Sequence, residues 1–486
     1  MLRLFGTAGI RGPYLESITP ELAYRIGLAV ASYIGGKGSS CVGHDVRTTS
    51  PLLAYMAAAG LMAGGVDSIY LGLVATPIVA YSVPHTKSSS GIVITASHNP
   101  PQDNGIKVFD GSGMEYTVAM EEDLEKIIFE GDSDRMHAPW DKVGRLVFAP
   151  ELQEDYIRDL VSVMSVSSPK LGLKIAVDCA NGAASEVTPR LLRSIGVERV
   201  VSVNCHQDGF FPGRHPEPRP DVLYEYQKIL DPMSLHGLLA HDGDADRLSM
   251  IVPGWGFVKQ DLLIALYAAW KLRDSKGDVI VSVDVGLEVE EVVERLGGKI
   301  VRAKLGKQHE KLKELGSRAV LAAEPWKLID PSWGPWVDGI YQAALLSKIS
   351  LETGLRPIDL IRSLPFYPSA RLSIKFSNDR DKKLVYQKSR DELREKLVTE
   401  GVNVLDIDGL RVQMEDGSWV LLRASGTEPK VRIYAQSRDP KKLIEMVETA
   451  KAIVLGKAKS LEARVMGIEE YVDDRPPRPG SLESVF

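Results

Sequence analysis

Residues 91–109 read GIVITASHNPPQDNGIKVF, and the centre of that stretch organises the rest of the chain. Gly91 to Thr95 is a short apolar run with β-branched residues, the composition of a strand buried on both faces of a sheet. It stops abruptly. Ala96-Ser97-His98-Asn99-Pro100-Pro101 neither continues a strand nor opens a helix, because Asn99 is restricted by the proline after it and the prolines lack backbone donors. Ser97 therefore belongs to a tight loop just past a strand end, where open α/β sheets bind ligands. Taken alone, Ser97, His98 and Asn99 are also ordinary turn formers, so the loop takes its meaning from distant motifs.

Length and composition bound those motifs. At 486 residues the chain is too long for one core, which predicts about three or four domains. With 44% hydrophobic and 26% charged residues it has a soluble globular composition. No run is long and apolar enough to span a bilayer, and the opening MLRLFGTAGIRG lacks the apolar core of a signal peptide, so a cytoplasmic protein with no membrane partner is expected. Cys41, Cys179 and Cys205 have no paired spacing, which indicates neither a disulfide framework nor a zinc site; they read as buried thiols. A net charge of −6 argues against a nucleic-acid surface, while leaving room for a local basic pocket holding one phosphate.

Strand and helix patterns divide the chain into four units and an end segment. Residues 1–150 carry apolar helical periodicity at 20–34 and 51–63, alternating with strands near 41–43, 69–71 and 91–95, and so predict a mostly parallel sheet. Two loops here have mixed readings. In FGTAGIRG, residues 5–12, glycines around Arg11 permit close approach to an anion or simply make a turn. In GHDVRTTS, residues 43–50, Arg47 pairs with Asp45 or is solvated. Residues 151–252 form a second unit with strands near 173–178, 197–203 and 237–240; the turn at 180–184 leads into a helix, and 208–220 is too rich in proline and glycine to be regular. Residues 253–368 form a third unit. The fourth, 369–465, changes character: a half-buried strand at 370–376, a charged helix at 379–399, and a hairpin turning at Asp416-Gly417. Residues 466–486, proline-rich and acidic, read as a flexible tail.

Each unit supplies one polar loop at a strand end. After the strand at 237–240 comes HDGDADR, where Asp242, Asp244 and Asp246 recur at every second position. A bent loop turns such carboxylates onto one point, and a hard divalent cation removes their repulsion; Mg²⁺, which keeps waters or phosphate in its shell, suits three carboxylates. The bland reading is a solvated acidic turn. An EF-hand is excluded because the twelfth position is Pro253 rather than glutamate. Glu324, in AAEPWKLIDP, occupies another strand end, where it either caps a neighbour or reads a ligand. In RASGTEPKVR, residues 423–432, the guanidiniums of Arg423 and Arg432, the hydroxyls of Ser425 and Thr427 and the unhindered amide of Gly426 match a phosphate dianion. The chain has no G-x-S-x-G around Ser97, no P-loop, and no dinucleotide fingerprint after a strand.

Together, TASHNP, DGDADR and RASGTEPKVR, in this order and spacing, resemble the α-D-phosphohexomutase family of phosphoglucomutases, phosphomannomutases and phosphoglucosamine mutases, its archaeal-type members above all. The resemblance covers nearly the whole chain before residue 466. It implies three related α/β domains with mixed, mostly parallel sheets, plus a smaller, mobile α+β C-terminal domain, around a central cleft. It further implies that Ser97 is the phosphoserine and that Asp242, Asp244 and Asp246 bind Mg²⁺ together with a phosphoserine oxygen. Arg11 and Lys107 would act beside the transferred phosphoryl group, supported by Arg247 and His98. Glu324 would hold sugar hydroxyls, while Arg423, Ser425, Gly426, Thr427 and Arg432 would grip the phosphate not being transferred. The implied partners are small sugar phosphates, with a hexose 1,6-bisphosphate as activator; oligomeric state is not indicated.

The sugar loop departs from the family. Where relatives carry a serine two residues and a histidine four residues after the glutamate, this chain has Trp326 and Leu328. Trp326 either stacks on a sugar face or packs beside Trp333 and Trp336. The leading expectation is interconversion of hexose 1- and 6-phosphates, with glucose, mannose and glucosamine phosphates as candidates. The altered loop leaves a pentose phosphate open. A non-catalytic sugar-phosphate binder is the alternative outside enzymology, and the intact Ser97 and aspartates weigh against it.

Overall fold

The computed structural model describes residues 4–6, 9–131, 136–397, 402–426, 428–473 and 475–481. Its first sheet contains β1 (Ile10–Pro13), β2 (Ser39–His44), β3 (Asp67–Leu73), β4 (Ser90–Ile94), β5 (Asp103–Asp110) and β6 (Leu146–Phe148), in the order β1-β5-β4-β2-β3-β6. β4, β2, β3 and β6 run parallel, joined by helical crossovers, whereas β5 and β1 add antiparallel at one edge. Every residue of β4 is buried, as its uninterrupted apolar run requires. β5 is not evident from the sequence pattern. Its alternation, with Ile106 and Val108 between Gly105, Lys107 and Phe109, is blurred by a buried lysine and a glycine. Both have reasons: a side chain at Gly105 would strike the carbonyls of Ile10 and Thr95 at 2.5 and 2.6 Å, and Lys107 faces the site described below.

The second sheet holds β7 (Lys174–Asp178), β8 (Arg199–Val203), β9 (Gly237–His241), β10 (Leu248–Val252) and β11 (Gly256–Phe257), ordered β11-β10-β9-β7-β8. β8, β7 and β9 are parallel and the other two antiparallel. The turn after β7 reaches its helix, Thr188–Ser194, later than the glycine-alanine pattern suggests. The third sheet is β12 (Asp278–Ser282), β13 (Lys299–Ala303), β14 (Ala319–Glu324) and β15 (Lys327–Ile329), ordered β13-β12-β14-β15, parallel except for the β14–β15 hairpin. The fold is thus α/β with mixed, mostly parallel sheets. One continuous set of buried side chains, from Cys41 through Val177 and Leu262 to Leu364, runs through all three units.

The fourth unit is α+β. β16 (Ser369–Phe376), β17 (Asn403–Leu405), β18 (Leu410–Gln413), β19 (Trp419–Ala424), β20 (Lys430–Gln436) and β21 (Val465–Asp473) form a wholly antiparallel sheet, ordered β17-β18-β19-β20-β16-β21. The helices Asp379–Leu397 and Pro440–Ser460 pack on it over a separate core. β21 corrects the reading of 466–486 as a flexible tail. Through residue 473 that segment is a strand on the free edge of β16, in register from Ser369↔Asp473 to Lys375↔Gly467 and shifted by one residue at Phe376↔Val465. Two of the acidic residues that suggested disorder are paired: Lys430 Nζ reaches Glu469 at 3.3 Å and Lys451 Nζ reaches Glu470 at 2.8 Å, while Asp474 and residues 482–486 lie outside the described residues. Beyond it, Phe366 and Arg478 exchange backbone hydrogen bonds, and Arg475 stacks over Trp255 and Phe366. Among the described residues, no helix is long and apolar enough to cross a membrane.

Candidate active site

The ends of β4, β9 and β14 converge, so that loops far apart in sequence share one buried space. Ser97 is fully buried at φ 53°, a left-handed conformation that costs a non-glycine residue about 1–3 kcal/mol and persists only where its surroundings enforce it. The enforcement comes largely from Arg47. Its guanidinium donates to the carbonyls of Ser97 (3.1 Å), Asn99 (2.7 Å), Asp103 (2.9 Å) and Pro100, while Asp45 Oδ2 accepts from its Nε at 3.1 Å. Arg47 therefore both pairs with Asp45 and is fully buried, which rules out the solvated reading. Thr95 Oγ1 completes the turn by accepting from Ser97 N at 2.8 Å.

Ser97 Oγ donates to Asp242 Oδ2 at 2.7 Å and lies 3.2 Å from His98 Nδ1. The two loops touch closely enough that a Cβ at Gly243 would meet Ser97 O at 2.6 Å. Oxygens of Asp242, Asp244 and Asp246, all fully buried, lie within 4.8 Å of one another. A solvated acidic turn is thereby excluded. Lys107 Nζ donates to Asp244 Oδ2 and Asp246 Oδ2, both at 2.8 Å, and Thr76 Oγ1 donates to Asp244 Oδ2 at 2.6 Å. Asp244 Oδ1 and Asp246 Oδ1 remain buried without a hydrogen bond. Three convergent carboxylates with two uncommitted oxygens fit a hard divalent cation such as Mg²⁺, which takes oxygen ligands and tolerates an incomplete protein shell.

The charges are strongly interdependent. Burial, then Asp244 and Asp246, push Asp242 well above the usual carboxylate range. Burial acts the same way on Asp246, but Lys107, Lys327 and Arg247 outweigh it and hold that group well below. Burial, with Arg247 and Arg11, holds His98 far down and therefore neutral. β1 and β5 place Arg11 and Lys107 together, since Arg11 pairs with Gly105 and Lys107 lies two residues further along the same face. Arg11 Nε and Nη2 are buried without hydrogen-bond partners, a guanidinium edge turned toward the carboxylate cluster with donors to spare. Arg247 Nε stands 3.8 Å from both Asp242 and Asp246.

On the third unit, Glu324 ends β14 and is 8% exposed, with Oε2 accepting from Gly306 N at 2.6 Å; burial raises its pKa while Lys327 opposes. Pro325-Trp326 is the two-residue turn to β15, with Trp326 at φ 72°. Trp326 does not join the aromatic cluster of Trp333 and Trp336, which pack on Tyr81; its ring instead lies beneath Arg247 Cζ at 5.9 Å. That turn delivers a residue the sequence reading left without a role: Lys327, 8% exposed, reaches Asp246 Oδ2 at 3.5 Å. Glu115 and His309 were also missed. Glu115 is held charged by Lys327 and Lys107 against its burial, and His309, 6% exposed, has an unpartnered Nε2.

The fourth-unit loop forms a second group. Arg423 and Arg432 face each other across β19 and β20, Arg432 Nε is buried and unpartnered, Ser425 is buried and Gly426 exposed. Thr427 lies outside the described residues. A thread of hydrogen bonds joins this group to Glu324: Arg423 Nε donates to Asp408 Oδ2 (2.9 Å), which accepts from Leu305 N (3.1 Å), and the next amide, Gly306, binds Glu324.

A buried serine thus lies against an acidic triad, flanked by guanidinium groups with unused donors, in a chain of three α/β units and one α+β unit. Comparison with known proteins gives the family. The domains described as phosphoglucomutase/phosphomannomutase alpha/beta/alpha domain I, alpha/beta/alpha domain II and C-terminal domain match residues 2–135, 154–255 and 377–452. The chain belongs to the α-D-phosphohexomutase family of phosphosugar mutases. It is 40% identical to a phosphopentomutase of Thermococcus kodakarensis, over 95% of this chain and 100% of that protein. It is 36% identical to a probable phosphoglucosamine mutase of Methanobrevibacter smithii, over 93% and 98%. The crystal structure of a phosphoglucomutase/phosphomannomutase family protein from Burkholderia thailandensis superposes with a TM-score of 0.81 at 27% identity, covering 95% of this chain and 99% of that one.

Proposed function

We propose that the protein moves a phosphoryl group between two hydroxyls of one sugar, using Ser97 as carrier. The observation that supports this most is Ser97 Oγ, 2.7 Å from a buried carboxylate triad with two uncommitted oxygens. Phospho-Ser97 gives its phosphoryl group to the free hydroxyl of a sugar monophosphate; the bisphosphate turns around and returns its other phosphate to Ser97. Arg11 and Lys107 neutralise the charge that spreads over the transferring group, in a site where water is excluded and preorganised cations act strongly. Asp242, Asp244 and Asp246 would hold Mg²⁺, whose charge would add to that neutralisation. As free Ser97 reclaims a phosphoryl group, its Oγ proton has two acceptors at hand, Asp242 Oδ2 and neutral His98 Nδ1. Arg247 holds Asp242, Asp246 and the Trp326 face in place. Glu324 accepts from sugar hydroxyls, and Arg423, Ser425, Gly426, Thr427 and Arg432 grip the resting phosphate.

For substrate, the leading reading is a hexose 1-phosphate and its 6-phosphate, with the hexose 1,6-bisphosphate as activator. A pentose phosphate is the second reading, favoured by the 40% identity to a phosphopentomutase and by the altered sugar loop. Mass spectrometry of protein incubated with sugar bisphosphate is expected to find phosphate on Ser97, and Ser97→Ala to lose nearly all turnover. A panel of hexose and pentose 1-phosphates, assayed with Mg²⁺ and a trace of bisphosphate, decides the sugar. Full activity in Ser97→Ala would sink the carrier role, and unchanged turnover in excess EDTA the metal.

A further inference from the structure

Cys179 directly follows β7, and Cys205 lies two residues past β8. These strands are parallel neighbours in register Asp178↔Val203. Their ladder continues beyond the strand ends: Cys179 N donates to Val203 O at 3.1 Å and Asn181 N to Asn204 O at 2.7 Å. The two backbones thus run one strand spacing apart, about 4.8 Å, at the point where the thiols emerge, inside the separation a disulfide spans. The side chains use that proximity. Cys205 Sγ lies 2.9 Å from Cys179 Sγ, closer than ordinary van der Waals contact. Cys179 is buried, whereas Cys205 is partly open to solvent. The sulfur contact with Cys179 holds the Cys205 thiol below its ordinary range, although burial opposes this, so the accessible sulfur is also the more readily ionised.

We propose that Cys179 and Cys205 are a modification site, closing into an intramolecular disulfide when the protein meets a low-molecular-weight disulfide. The Cys205 thiolate attacks the reagent disulfide, forming a mixed disulfide and releasing one reagent thiolate. Cys179 then gives its proton to that released thiolate, attacks the Cys205 sulfur and expels the second reagent thiolate, which takes a proton from water. One reagent disulfide is reduced to two thiols as two cysteine thiols become one disulfide. The bridge ties together the segments that back the acidic loop. Ala183 N donates to Gly243 O at 3.0 Å, Asn181 Oδ1 accepts from Gly213 N at 3.0 Å, and Arg214, one residue on, binds Asp178 and the His241 carbonyl. The modification therefore braces the support of Asp242 without consuming any residue of the site.

The test counts thiols. The full chain, reduced and then incubated with oxidised glutathione, is quenched with an alkylating agent, denatured and analysed by intact-mass and peptide mass spectrometry. Alkylatable cysteines are expected to fall from the three in the sequence to Cys41 alone, with one peptide pair joining Cys179 to Cys205 and an intact mass lower by two hydrogens. Cys41→Ser should form the same bridge, Cys205→Ser should form none, and the oxidised wild-type chain should melt above the reduced one. Three thiols surviving prolonged oxidation, reaction arrested at a mixed disulfide on Cys205, or crosslinks through Cys41 or between chains would each overturn the proposal. The wild-type count decides even if a variant misfolds.

Discussion

Arg47 shows how one residue converts sequence into site geometry. It carries no reacting atom, yet its fork holds the carbonyls of Ser97, Asn99, Pro100 and Asp103, and hydrogen bonds to charged groups contribute about 1.5–3 kcal/mol each. Arg47→Lys keeps the charge but cannot span four carbonyls. The expected outcome is a kcat lowered about tenfold to a hundredfold with KM changed little, because carrier placement is lost while the sugar contacts remain; steady-state kinetics check it. Lys327→Met is expected to act differently. Asp246 keeps Lys107, so the protein should fold with a near-native melting point, while kcat/KM falls at least about tenfold, the effect of about 1.4 kcal/mol in a closed site. Unaltered kinetics would assign Lys327 to structure alone. The motif residues Ser97, Asp242, Asp244, Asp246 and Glu324 were legible because spacing and strand-end position mark them. Arg47 was legible only as a partner of Asp45; its hold on the Ser97 loop was not, since those partners are backbone carbonyls 50 and more residues away, and backbone leaves no mark on composition. Lys327 was hidden by Trp326, whose left-handed φ no local rule forecasts for an indole.

Among the elements, legibility followed burial pattern. β4, continuous and apolar, was plain; β5 and β21 were not, because function or pairing overrides their patterns. A lysine in a buried strand reads as a break until its aspartates are known, and adjacent glutamates on β21 read as disorder until Lys430 and Lys451 are placed opposite. β21 covers what would otherwise be an open edge of the fourth sheet. Removing residues 465–486 should expose the β16 backbone, lower the melting midpoint and promote association through the bared edge. Scanning calorimetry with light scattering checks this; a monodisperse truncated chain with an unshifted midpoint would show that β21 adds nothing.

For the whole molecule, the division of cores matters more than the division of sheets. Three units share one continuous interior, while the fourth keeps its own and is fastened to the third by a buried interface in which Val283 and Leu287 pack on Trp419, Leu421 and Tyr434 beside a set of polar bonds. At its heart Arg411, 2% exposed, donates to the carbonyls of Val283 (2.7 Å) and Val285 (3.1 Å) and to Glu290 (2.9 Å), with Trp419 stacked 3.9 Å from its guanidinium carbon. Gln436, fully buried, adds bonds to Leu287 N and Glu288. Arg411→Ala takes from the Val283 carbonyl its side-chain donor, at about 1–3 kcal/mol, and removes the stack on Trp419, while Arg302 still serves Val285 O and Glu290. The expected result is a thermal transition that splits, the fourth unit melting first. A single unshifted transition would mean that the interface is held elsewhere.

The thread Arg423–Asp408–Leu305–Gly306–Glu324 has a consequence for how such an enzyme changes its diet over generations. Glu324, proposed to meet the sugar, and Arg423, proposed to meet the phosphate, hang on one line of hydrogen bonds crossing two units. Neither end moves alone. A lineage adopting a shorter sugar, whose phosphate sits nearer its ring hydroxyls, would have to reset Asp408 or the 305–306 turn along with the sugar loop, so the record of a substrate switch should be sought in that linkage as much as in the pocket.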